Sequence, residues 1–203
     1  LDGKNEKILE SFDKFKIKGT LFVCGMRVNS PDGKKLLKSW DLGLSDIRIE
    51  RQTVTHANGD KEDIFIPFGI HKVNDVEHSI MLKQESSGTQ AAYLLLSRLL
   101  PVLTSGGVAV IDELEADLHP HILVPILDLF YSPVTNPHNA QIIFTCHSIE
   151  VLSLLHKAQV VLVEKDKNCQ SNAWRLDEVK GIRADDNLYA KYMGGSYGAI
   201  PHL

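Results

Sequence analysis

Val108-Ala109-Val110-Ile111 is an apolar run of four residues that stops on two carboxylates, Asp112 and Glu113. A run this short and this uniform fits a strand covered on both faces, as central strands of parallel sheets are. Two more runs follow, at Gln141 to Thr145 and Val160 to Val163. Pro120 to Tyr131 reads as a helix with proline in its first turn, and Ser148 to His156 as another. Ser132 to Asn139, with two prolines, is a loop. Upstream, Ala91 to Leu103 predicts a helix with Leu95, Leu99 and Val102 facing inward. Pro101 is expected to kink it or end it early, and Ser105-Gly106-Gly107 to stop it. This β-α-β-α-β order predicts an open parallel sheet flanked by helices.

The first 83 residues carry a different pattern. Ile8, Leu9, Phe12 and Phe15 recur at helical spacing. Thr20 to Val28 is apolar and β-prone, and Ser30-Pro31-Asp32-Gly33 reads as a turn. Ile47, Ile49 and Val54 suggest an alternating strand. Asn58-Gly59 then precedes Ile64-Phe65-Ile66-Pro67-Phe68, a strong hairpin signal. Ser79 to Lys83 reads as one more strand. The expected organisation is a β-rich subdomain of antiparallel hairpins over residues 1–83 and an α/β part over residues 84–203.

Composition narrows the class. The 203 residues are 43 % hydrophobic and 24 % charged, which is enough apolar surface for a core and too much for a disordered chain. The longest apolar runs, such as Ala91 to Leu96, fall far short of the roughly 20 residues a membrane span needs. No leader pattern is visible, and Cys24, Cys146 and Cys169 form neither a C-x-x-C metal motif nor a disulfide framework. A cytoplasmic protein without a membrane partner is expected. The net charge of −4 argues against general coating of nucleic acid. Lys14, Lys16, Lys18, Lys34, Lys35 and Lys38 leave a local nucleic-acid face open, with a solvated surface the better reading.

In open α/β sheets the ligand crevice lies at the carboxyl ends of the strands. One strand here ends in Asp112-Glu113, the next in Thr145-Cys146-His147-Ser148. If the strands are neighbours, acids and imidazole converge. One carboxylate can hold Mg²⁺ directly or through water. The other can polarise a water for attack on a phosphoryl group. Strand ends are also simply polar, and each feature alone is more often structural than catalytic. Glu85-Ser86-Ser87-Gly88-Thr89-Gln90 precedes the helix from Ala91. Hydroxyls and glycine at a helix start expose N–H groups to an anion, or serve as an ordinary N-cap.

Together, in this order and spacing, the pieces resemble the C-terminal half of an ABC-type ATPase head, and most of all the AAA-domain ATPases of the SMC/RecF/OLD-like group. Ser86 to Gln90 is similar to the signature motif, and Val108 to Glu113 to Walker B with its catalytic glutamate. Leu118-His119 is similar to the D-loop, and His147 to the switch histidine. The likeness runs from Glu85 to Pro201 and includes the closing Tyr192 to Pro201. It implies ATP and Mg²⁺, with Asp112 positioning the metal, Glu113 as general base and His147 at the γ-phosphate. Ser86, Ser87, Gly88, Thr89 and Gln90 would then face ATP held by a second copy. Leu118 and His119 would report across a head-to-tail dimer. A nuclease or toxin effector, in anti-phage defence or DNA processing, is the implied client. The signature reads S-S-G-T-Q where many relatives have L-S-G-G-Q, and His119 stands where many have Asp.

One part is missing. No G-x-x-x-x-G-K-[ST] loop occurs in the sequence, so nothing cradles a β-phosphate. The expectation is a piece of a longer ATPase; the alternative is a non-catalytic dimerisation or scaffold module with a degenerate site. Two lesser readings are a two-metal nuclease built on Asp112, Glu113, Glu115 and Asp117, and zinc at His119-Pro120-His121. The first leaves the serine motif unexplained, and the second lacks further ligands.

Overall fold

The computed structural model describes residues 28–183 and 186–200. The helix expected around Ile8 to Phe15 and most of the strand expected from Thr20 lie outside the described residues. The chain divides into two compact units. The first comprises Leu1–Asp112 and Ala116–Phe144, the second Glu113–Glu115 and Thr145–Leu203.

In the first unit, helix α1 spans Pro31–Ser39. Ser30, Pro31 and Asp32 start this helix; they do not form an isolated turn. Ser30 Oγ accepts from Gly33 N at 3.3 Å, Pro31 has its φ preset for the first turn, and Asp32 suits the positive helix end. The same residues favour turns and helix starts, and the buried Leu37 and Trp40 decide for a helix. Strands β1 (Asp46–Thr55), β2 (Lys61–Val73) and β3 (Val76–Met81) form an antiparallel sheet in that order. The hairpin expected at Asn58-Gly59 is present, with His56 N donating to Asp60 O at 2.8 Å. The second hairpin turns on Asn74-Asp75, both at positive φ. Ile66 and Ile70 are buried on one face of β2, and Ile47, opposite Gly69, is buried on the other face of the sheet.

Helix α2 spans Ser87–Ser105 and ends on Gly106, whose φ of 76° is left-handed. Pro101 lies inside this helix and does not end it. Burial of Leu96, Leu99 and Leu103 on both sides of the proline holds the last turn in place. β4 (Val108–Ile111) and β5 (Gln141–Phe144) pair in parallel, Val108 opposite Gln141 and Ile111 opposite Phe144. Between them lie a 3₁₀ turn at Pro120–Ile122 and helix α3, Leu123–Tyr131. The loop after α3 is tied by buried Asn136. Its Nδ2 donates to Phe130 O and Ala140 O, both at 2.9 Å, and its Oδ1 accepts from Ala140 N at 2.6 Å.

In the second unit, β6 (Val161–Lys165) pairs antiparallel with β7 (Ser171–Arg175). This corrects the expectation that the Val160 to Val163 run is a third parallel strand. The reason is the turn that follows it. Asp166 Oδ1 accepts from Asn168 N at 2.8 Å and Gln170 N at 2.9 Å, which reverses the chain at once. Among the described residues the fold is thus mixed α/β with three small sheets, and the β4–β5 pair is parallel. The helix expected over Ser148 to His156 is a 3₁₀ segment, Ile149–Ser153. Short helix α4 (Leu188–Met193) leads into the glycine-rich end. Tyr197 packs there with Val160, Leu162 and Leu176. Gly198, at φ 73°, lies under Trp174, so that stretch is a packing turn. Among the described residues no helix is long and apolar enough to cross a membrane.

Candidate functional site

The register of β4 and β5 makes the two strands end side by side, Ile111 opposite Phe144. Asp112 follows β4 directly and is exposed. The next three residues belong to the second unit, where they are laced to the segment after β5. Glu113 N donates to Thr145 Oγ1 at 2.8 Å, and Leu114 N to Thr145 O at 3.0 Å. Glu115 Oε1 accepts from the backbone N–H of His147. This lacing brings the expected base and the expected switch histidine together. Glu113 Oε1 lies 3.8 Å from His147 Nε2, with the side chains 59 % and 85 % exposed. A contact this open to solvent is worth little as stability, so its placement matters more than its strength.

Glu113 holds a φ of 51°, unusual for a residue with a Cβ. Such conformations persist where neighbouring contacts enforce them, and they cluster at functional sites. Glu115 and Thr145 are the enforcing groups, and the sequence reading gave neither that role. Their signal was present: a carboxylate two residues beyond Glu113, and a hydroxyl at the last position before Cys146-His147. Burial works to raise the Glu115 carboxyl. The hydrogen bond from His147 N, with others from its own backbone N–H and Cys146, outweighs that and holds it below the usual carboxylate range. Burial and the neighbouring Glu115 push the Cys146 thiol up to about 12.

The serine-rich motif lies wholly in the first unit. Ser86 is the N-cap of α2; its Oγ accepts from Thr89 N at 3.1 Å and lies 2.8 Å from Thr89 Oγ1. Thr89 is buried and serves the cap. Gln90 Nε2 donates to Glu85 O at 2.8 Å and Lys83 O at 3.2 Å. The side chains of Ser86, Thr89 and Gln90 therefore build the tip. Ser87 is exposed on it, and the first-turn N–H groups of Ser87 and Gly88 stand outside the intrahelical ladder. Gly88 has a second reason to be glycine: a Cβ there would lie 3.2 Å from Asp117 O. The signature tip and the expected D-loop are thus neighbours in one chain. Asp117 itself has a φ of 60°, Leu118 is buried and His119 is exposed.

His119 Nδ1 accepts from His121 N at 3.3 Å, capping the 3₁₀ turn. Among the described residues no group of three or more His, Cys, Asp or Glu could hold a metal ion by itself.

An α/β chain with a capped serine-glycine tip and a carboxylate-histidine pair at a strand end is an AAA/ABC-type ATPase-like domain. The chain belongs to the family described as "AAA domain, putative AbiEii toxin, Type IV TA system", which matches residues 18–153. The matched span includes the tip, Asp112, Glu113 and His147. Membership supports a nucleotide-binding protein. A comparison with curated proteins finds no match.

Proposed function

We propose that this chain is the C-terminal part of an ATP-binding and ATP-hydrolysing head, which pairs with a second copy on ATP and releases it on hydrolysis. The contact between Glu113 and His147 carries this reading. Glu113 takes the proton of the attacking water. His147, held at its backbone by Glu115, is placed to donate to the γ-phosphate. Asp112 is the residue to hold Mg²⁺, and an exposed carboxylate at a strand end fits an ion that keeps most of its water shell. Mg²⁺, when bound, neutralises phosphate charge. Ser87 and Gly88 offer N–H groups to the γ-phosphate of ATP in the partner copy, with Ser86, Thr89 and Gln90 setting their direction. Buried Leu118 and exposed His119 follow Asp117, so a shift of the tip reaches them directly.

The client in this reading is a toxin or nuclease effector, in keeping with the toxin–antitoxin description of the family. The competing reading is a dimerisation scaffold, favoured by the lack of a lysine-bearing phosphate loop in these 203 residues. One substitution separates the two. In the head assayed together with its phosphate loop, Glu113→Gln should cut ATP turnover by about 100-fold or more, within the range for loss of a general base. It should also accumulate an ATP-bound dimer on a sizing column. Unchanged turnover would remove Glu113 from its role and leave the scaffold.

A further inference from the structure

Glu85 sits one residue before the N-cap of the tip, and its side chain is only 7 % exposed. Its Oε1 lies 2.7 Å from His71 Nε2 on β2, and His71 Nδ1 lies 3.0 Å from Gly43 O. Two residues before His71, on the same face of β2, is Gly69. A Cβ there would collide with Glu85 Oε1 and come within 2.8 Å of Leu44 Cδ2. The strand is therefore hollowed out to admit this carboxylate. The backbone of Glu85 is held as well, because its carbonyl accepts from Gln90 Nε2 at 2.8 Å.

A hydrogen-bonded polar pair taken out of water is poor value as stability, and an apolar side chain often does as well in its place. The best-attested use of such groups is to fix one arrangement against its alternatives. We propose that Glu85 and His71 are positioning residues, a buried strut from β2 that fixes where the Ser86-Ser87-Gly88 tip stands and so governs ATP-driven pairing of two heads. The link to pairing rests on the function proposed above; the strut itself does not. Glu85 touches no substrate in this account. It acts through the tip.

The test compares Glu85→Ala, Glu85→Gln and Gly69→Ala in the head with its phosphate loop, after circular dichroism confirms folding. Amide hydrogen exchange over residues 86–90 reads the strut, and ATP-dependent dimerisation and turnover read its use. ATP affinity of the single head is a control that the strut should not move. Loss of a charge-assisted bond should speed exchange over residues 86–90 by about tenfold or more in Glu85→Ala. Dimerisation should weaken in parallel. Glu85→Gln should restore both, since an amide can donate to or accept from either imidazole tautomer. If Glu85→Ala fails to fold, His71→Gln replaces it. Unchanged exchange in both Glu85→Ala and Gly69→Ala overturns the strut. Faster exchange with pairing and turnover intact overturns its role in pairing. Glu113→Gln is run alongside. If that variant turns over normally, the ATPase reading is at fault and exchange alone judges the strut.

Discussion

At the residue scale, the segments around Glu113 and His147 are held by hydrogen bonds from their neighbours. Glu115 fixes the His147 backbone, and Thr145 receives Glu113 N. Cys146 lies between Thr145 and His147, and its half-buried thiol sits beside Glu115. Reaction with an alkylating agent needs the thiolate. With its titration pushed up to about 12 by burial and by Glu115, Cys146 is about 10⁻⁴ ionised at pH 8. Cys169 is exposed at the β6–β7 turn. Iodoacetamide at pH 8 should therefore label Cys169 and spare Cys146 in the folded protein, with peptide mapping as the readout. In urea Cys146 should become reactive. Equal labelling of both in the native state would mean that the segment before His147 is open and that Glu115 does not clamp it.

At the scale of elements, the sequence was most informative where one local signal had one meaning. Asn58-Gly59 between β-prone runs gave a hairpin, and the apolar run ending in Asp112-Glu113 gave a strand with a parallel partner. It was ambiguous where one signal served two structures. Ser30-Pro31-Asp32 starts a helix as readily as a turn, and Pro101 weakens a helix that packing still completes. The Val160 to Val163 run has the pattern of a parallel strand, and only the Asp166 turn shows that it goes into a hairpin. The site follows the same division. Asp112, Glu113, His147 and the serine motif were legible because their chemistry is bunched in sequence. Glu115, Thr145, Asp117 and the Glu85–His71 pair were not, because their roles depend on partners far along the chain or on loop conformation. Asn136 is a further case, a buried side chain making three hydrogen bonds in the loop after α3. Asn136→Asp keeps the shape and removes both donors, leaving the carbonyls of Phe130 and Ala140 short of them. Each such loss costs about 1–3 kcal/mol. The melting temperature should fall by at least about 4 °C, given roughly 2–4 °C per kcal/mol at this chain length. A change under one degree would show that the loop is not held by this residue.

At the scale of the whole molecule, two observations bear on what these residues can do alone. Parallel sheets are normally covered on both faces. Yet Val110 and Ile143, directly opposed across β4 and β5, are 77 % and 60 % exposed. The ladder that leads into Asp112 and Glu113 is thus short and open on one side. The second observation is chemical. The roles proposed for Asp112, Glu113, His147 and the tip all concern the γ-phosphate and its metal, and no G-x-x-x-x-G-K-[ST] pattern for the β-phosphate occurs in the sequence. Phosphate affinity in such sites comes mainly from a nest of backbone N–H groups and a lysine charge, and no G-x-x-x-x-G-K-[ST] loop that combines them occurs in these 203 residues. Calorimetric titration of residues 1–203 with ATP and Mg²⁺ should accordingly show no saturable heat through the micromolar range. A binding constant near 1 μM corresponds to about 8 kcal/mol, more than exposed Asp112, Glu113 and His147 can supply with mostly solvent-screened contacts. Finding one would mean that another part of the chain cradles the phosphates, and the division of labour proposed for the head would have to be redrawn around it.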